Sequence, residues 1–388
     1  MASKERIPQL DIFRAIAIFA VMAIHATSRT IAETQGTSLF HPFLLINKFS
    51  QFAVPSFIFL SGFVLFYNYI DRPLNRKTLG TFYGRRLAYI IVPYLVFSVL
   101  YYILKMTSGH TWDMPLQEQA AKMWKYLWTG TAYTHLYYII IIIQFYVLFP
   151  LILWCLQKVR RLAAWAPLIG LALQWGFVLL NKYMVNHGYW HLTKGSLAIT
   201  YFSYFLLGAG IASYYASLKK WLVPTRGGWR TGKGATWIAL WLLWVIAGVV
   251  HVELWFNSYT KHSSINSLWY EGFANLHALL SCLVLWQLSF LLFGAGRSLL
   301  ARLLVSVGAC SFGIYLIHPL VLFLYRKLSI HGGSLVYAAF IAGGWLAAFL
   351  VSWFAVVIVQ RYFRPAAWVL FGSAPQKPKA ISSEQVRS

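Results

Sequence analysis

The chain has 388 residues, 59% hydrophobic and 11% charged, with a mean hydropathy of +0.61 and a formal net charge of +24. Soluble domains carry about 25% charged residues, so this chain could not cover a soluble surface. A soluble enzyme, a nucleic-acid-binding protein and a disordered chain are excluded together. The 33 Lys and Arg fall in short blocks between long apolar runs, which is the pattern of a polytopic membrane protein and not of a nucleic-acid partner.

A membrane-spanning helix needs about 20 mostly apolar residues to cross about 30 Å of hydrocarbon. Ten such runs are predicted, at about 10–28, 44–69, 87–106, 136–157, 163–182, 197–216, 235–252, 273–293, 303–325 and 334–360. The fold class is therefore an all-α polytopic membrane helix bundle. With the N-terminus inside, 22 basic residues lie in inner segments and nine in outer ones, while Arg14 and Lys48 fall within spans. That asymmetry predicts both termini on the cytoplasmic side of the membrane. The first run follows Lys4 and Arg6 as a signal peptide would, but Asp11 and Arg14 interrupt it, so it is read as a retained helix. Residues 1–371 form one transmembrane domain, and the polar tail at 372–388 is expected to be disordered. Cys155, Cys282 and Cys310 lie inside apolar runs without metal spacing and read as small buried hydrophobes, so no metal site is predicted.

An ionisable group at the centre of the bilayer costs about 2.5–3.5 kcal/mol on insertion scales, so each one is a functional candidate. The first helix reads Leu10-Asp11-Ile12-Phe13-Arg14 and then His25. At about 100° and 1.5 Å per residue, Arg14 and His25 share a face about 16 Å apart, with Asp11 one turn before Arg14. The stripe reads either as an interfacial ion pair plus a hydrogen-bonded histidine, or as a path ending on a general base. In the second run Asn47, Gln51, Ser61 and Asn68 fall near one face, and Lys48 is expected to snorkel outward. Arg85-Arg86, ahead of the third run, anchor the inner side or bind an anion such as a CoA phosphate.

The fourth run opens His135-Leu136-Tyr137-Tyr138, with Tyr146 on the face of His135. These residues line a cavity or hold helices together. In the ninth run Tyr315 sits one turn behind His318. Pro319 frees a backbone carbonyl there, which is tolerable only inside the bundle or beside a cavity.

From Leu10 to Phe363 these residues resemble the acyltransferase-3 family, integral membrane O-acyltransferases that modify bacterial surface sugars. Leu10-Asp11-Ile12-Phe13-Arg14 with His25 resembles the opening motif, and Val54-Pro55-Ser56-Phe57-Ile58-Phe59-Leu60-Ser61-Gly62-Phe63 the second-helix signature. His135-Leu136-Tyr137-Tyr138 resembles a His-Leu-Trp-Phe segment, and Ser311-Phe312-Gly313-Ile314-Tyr315-Leu316-Ile317-His318 the late-helix motif. One departure stands out: where the family shows Arg-x-x-Arg, Arg86 is followed three residues later by Tyr89.

The resemblance implies an acyl-CoA donor, acetyl-CoA by default, as cytoplasmic co-substrate. The acceptor it implies is a hydroxyl of a surface glycan or lipid-linked sugar at the outer face of the bilayer. Arg85, Arg86 and Arg14 would then attract the donor phosphates, Asp11 would hold Arg14, and His25 would act as general base or transient acyl carrier. Tyr315 and His318 would donate to the oxyanion, and Ser61, His135 and Tyr138 would line the substrate path. Glu253 and Glu271 would meet the sugar. An exopolysaccharide exporter or flippase is the alternative, because intramembrane His and Arg also mark transport pathways.

Overall fold

A computed structural model describes residues 4–109, 112–189, 192–225, 227–261, 265–294, 298–328, 330 and 332–372, without the side chains of Arg85 and Leu87. The tail expected to be disordered lies, from residue 373 on, outside the described residues. Among the described residues there are helices and turns and no strand. Eight helices are long and apolar enough to cross a membrane: α1 (Gln9–Thr27), α2 (Phe40–Tyr69), α3 (Arg76–Ser108), α4 (Tyr137–Lys158), α5 (Leu162–Asn186), α7 (Gly232–Lys261), α8 (Ser267–Gly294) and α11 (Ser334–Tyr362). Between them lie the shorter apolar α6 (Ala198–Ser213) and a pair, α9 (Leu299–Ala309) and α10 (Ser311–Tyr325), bent by 78°.

Every predicted apolar run is thus helical, and among the described residues eight helices, or nine if the bent pair is one span, are long and apolar enough to cross by themselves. The sixth run falls short because α6 rises only about 24 Å at 1.5 Å per residue, below the hydrocarbon thickness. It is walled by protein: nine residues of its Phe202–Ser213 stretch are buried. A methyl on Gly208 would lie 2.3 Å from the Phe59 carbonyl oxygen, and one on Gly62 would lie 2.2 Å from that of Phe205. Small residues let the α2 and α6 backbones touch, which is how membrane helices gain packing without a hydrophobic drive.

In the ninth run the irregularity falls at Cys310, nine residues before Pro319, and α10 stays helical through that proline. The second run also breaks its helical count, with a 3-10 turn over Ser50–Phe52. Its polar residues therefore part company. Asn47 Nδ2 donates to the Ile24 carbonyl and to Thr27 Oγ1, each at 3.0 Å, while Gln51 meets His251 at 3.2 Å and Asn68 turns back to Val64. Lys48, expected to snorkel outward, is buried at 8% exposure with its Nζ 3.8 Å over the Trp255 ring.

The central helix is α1. Within its apolar window 67% is buried, against 22% in α11, so α1 is enclosed by protein and α11 presents most of its surface to lipid. Near the N-terminus of α1, Asp71 accepts from Lys4 Nζ at 2.8 Å and Arg160 Nη2 at 2.9 Å, which ties three segments together. These two donors hold the Asp71 carboxyl below its usual pKa. A depressed folded-state pKa contributes stability above the unfolded value, near 3.9, that is lost as pH falls through the folded one. Because the pair is exposed, Asp71→Asn is expected to cost less than about 1 kcal/mol in thermal unfolding at neutral pH, and the difference from wild type should vanish in acid.

Candidate active site

Three histidines from three separate segments converge beside the C-terminal end of α1. His25 of α1 and His318 of α10 have ring centroids 5.2 Å apart, His135, two residues before α4, lies 5.7 Å from His318, and His25 and His135 are 6.4 Å apart. His135 and His318 are 1% and 0% exposed, whereas His25 is half-buried, so His25 is the accessible member. His318 Nδ1 faces the Ile314 carbonyl at 3.1 Å, which assigns the proton to Nδ1 and leaves Nε2 with its lone pair. That Nε2 and both ring nitrogens of His135 have no partner among the described residues. Buried polar atoms without partners are rare and call for a functional account. Among the described residues no group of three or more His, Cys, Asp or Glu is placed to hold a metal ion.

A cavity of about 220 Å³ lies between the N-terminal half of α1 and Tyr315, and none of the three histidines lines it. Arg14, Arg86 and Tyr146 line it together with Ser61, Tyr138 and Tyr315. The Tyr138 and Tyr315 rings are 5.5 Å apart, and Tyr315 is 5.0 Å from His135, so two tyrosines stand between the cavity and the imidazoles. Asp11 holds both neighbouring guanidinium groups, Arg14 Nη1 at 2.6 Å and Arg6 Nη2 at 2.8 Å. Arg86 stands 5.5 Å over the Tyr146 ring. The Arg85 side chain lies outside the described residues.

The model of the acyltransferase domain family matches residues 7–360. The chain belongs to the acyltransferase-3 family. No curated protein and no solved structure matches it. With its eight or nine apolar spans it is a multi-pass membrane acyltransferase.

In this acyltransferase the structure sets Arg14, Arg86, Ser61, Tyr138 and Tyr315 around one cavity and gathers His25, His135 and His318 in a cluster beside Tyr315. Tyr315 needs a correction. Its hydroxyl donates to the His135 carbonyl oxygen, so its one proton is committed to backbone and is not offered to an oxyanion. Its role is to fix the segment that carries His135. His318, with Nδ1 turned to Ile314, likewise presents an acceptor at Nε2 and not a donor in that tautomer.

Glu253 and Glu271 stay apart from the trio, paired with His41 at 2.7 Å and Lys194 at 2.5 Å, and neither lines the cavity. Two supports were not read from sequence. Tyr101, fully buried, donates to the Leu316 carbonyl at 2.7 Å and meets the His135 ring edge-on at 5.1 Å. Arg326 Nη2 donates to the carbonyls of His25 at 2.5 Å and Ala26 at 3.2 Å, satisfying orphan acceptors at the end of α1.

Proposed function

We propose that the protein transfers an acyl group, acetyl by default, from cytoplasmic acyl-CoA to a hydroxyl of an extracytoplasmic carbohydrate across a bacterial plasma membrane. One observation supports the reading: a cavity lined by two arginines reaches Tyr315, whose ring lies 5.0 Å from His135 in a cluster of histidines with unpartnered nitrogens. At about 220 Å³ the cavity is smaller than the 300–1,000 Å³ of drug-sized ligand sites. The nucleotide of the donor would therefore stay at the mouth, its phosphates on Arg14 and Arg86, while the narrow thioester arm enters. With the N-terminus of α1 in the cytoplasm, as the basic residues favour, the mouth faces the donor pool and the histidines approach the outer half of the bilayer.

In the chemical step an imidazole takes the acceptor hydroxyl proton as its oxygen bonds to the thioester carbon. The carbon–sulfur bond then breaks, and the CoA thiolate leaves and is protonated by the imidazolium. His25, the half-buried member of the three, is the base in this reading. His318, held in one tautomer by Ile314, presents a second acceptor 5.2 Å away, ring to ring, for sharing that proton.

The test is protein purified into vesicles and supplied with labelled acetyl-CoA and a surface-type glycan. CoA thiol release coupled to glycan labelling is expected, whereas glycan movement without donor consumption would support the exporter. Arg14→Ala should raise KM for acetyl-CoA about tenfold or more with kcat little changed, because Asp11 keeps Arg6 as partner and no buried charge is orphaned. An unchanged donor KM with altered acceptor preference would reverse the two ends of the path.

A further inference from the structure

A second, basic cavity of about 100 Å³ opens at the other end of α1 from Arg14, walled by Arg29, Tyr133, Phe323, Arg326 and Lys327. It adjoins the histidine cluster through two of its walls. Arg326 holds the His25 carbonyl, and Tyr133 stacks on Tyr101 at 4.5 Å and lies 5.9 Å from His135.

The fold uses these three cations only in part. None of them is in an ion pair with a carboxylate among the described residues. Arg29 stands close enough to Arg326 to repel it, a cost that a purely structural arrangement would avoid. Glu33, the acid that acts on Arg326, accepts from the Tyr337 hydroxyl, so one carboxylate stands against three cations here. Lys327 lies 5.0 Å over the Phe323 ring, and capping α1 uses a single nitrogen of Arg326, a group with five N–H donors.

Orientation does not require them either. These three residues are among the nine basic residues on the side that the positive-inside pattern leaves poor in charge. A cluster of unpaired cations beside buried imidazoles therefore lacks only its anion.

We propose that this cavity binds an anionic group of the acceptor, a carboxylate on the sugar or a phosphate on its lipid carrier, and so selects acidic or carrier-linked glycans. The proposal rests on the acyltransferase reading and adds acceptor specificity to it. An anion held by Arg326 would sit beside the residue whose carbonyl that arginine grips, which brings the adjoining sugar hydroxyls toward His25. Guanidinium groups suit both anions because their paired donors match two oxygens at once.

The experiment uses the full chain in vesicles and three acceptors: a galacturonate oligosaccharide, its carboxyl-reduced neutral counterpart, and a neutral sugar on a prenyl pyrophosphate. Wild type is expected to show a KM for one of the anionic acceptors about tenfold below that for the neutral one, with the advantage shrinking as salt rises. The Arg29→Ala/Lys327→Ala double variant, which leaves the cap on α1 intact, should erase that advantage. Lys182→Ala, which removes a like charge held by Asn266 and Ser267 elsewhere, should keep it.

A preference for galacturonate assigns a carboxylate site, and one for the carrier-linked sugar assigns a phosphate site. Equal KM values for all three acceptors in wild type, or an advantage that survives the double variant, would overturn the proposal. Binding of the same three compounds, read by thermal shift without donor, separates this result from failure of the acyltransferase reading. Anion binding that depends on Arg29 and Lys327 in a protein that never consumes acetyl-CoA would keep the site and discard the reaction.

Discussion

His25→Ala is expected to lower acyl transfer by about 100- to 10,000-fold, the range that removal of a general acid–base group spans, while the protein still inserts and folds. His25 is the half-buried imidazole of the three, so truncating it opens no sealed void, and its carbonyl keeps the Arg326 bond. His318→Ala differs. It deletes a fully buried ring and its contact with the Ile314 carbonyl, so part of its effect will be structural. If the two imidazoles share one proton path, their losses will not add, and the double variant should be about as slow as His25→Ala alone. The measurement is the rate of labelled acetyl transfer at saturating donor, with thermal unfolding in detergent as the control for folding. Transfer by His25→Ala near the wild-type rate would remove His25 from the chemistry.

The sequence made Asp11, Arg14 and His25 legible because α1 is one unbroken helix, in which 100° per residue holds from end to end. The same arithmetic failed in α2. The 3-10 turn at Ser50–Phe52 resets the phase, so Asn47 and Gln51 face α1 and α7 while Ser61 faces the cavity. The bend at Cys310 was hidden for a related reason: Pro319 was the visible breaker, yet a proline inside a bundle can remain in a helix when its surroundings satisfy the freed carbonyl.

Partners that arrive from distant segments have no local signal. Tyr101 reaches Leu316 across 215 residues, and Tyr315 reaches His135 across 180. Arg326 had one signal that went unused, its place on the side poor in basic residues. The topological rule that explains most of the +24 charge also marks, by exception, the residues it does not explain.

Gly308→Ala is expected to destabilise the protein by about 1–3 kcal/mol through overpacking, and Gly308→Val to prevent folding. A methyl at residue 308 would lie 1.7 Å from the Asp11 carbonyl oxygen, 2.4 Å from its carbon and 2.8 Å from its Cα. All three are backbone atoms, so no rotamer change relieves the clash, and α9 must move away from α1. Asp11 cannot yield freely either, since its carboxylate is clamped between Arg6 and Arg14. The displacement therefore reaches the arginine-lined end of the cavity. Gly308→Ala should raise KM for acetyl-CoA as well as lower the unfolding temperature, although residue 308 lines no part of that cavity. Gly176→Ala supplies the comparison, because a methyl there meets nothing within 4 Å. In a helix that change is neutral or gains up to about 1 kcal/mol. If Gly308→Ala unfolds at the wild-type temperature, α1 and α9 are not in backbone contact, and Arg14 owes its position to Asp11 alone.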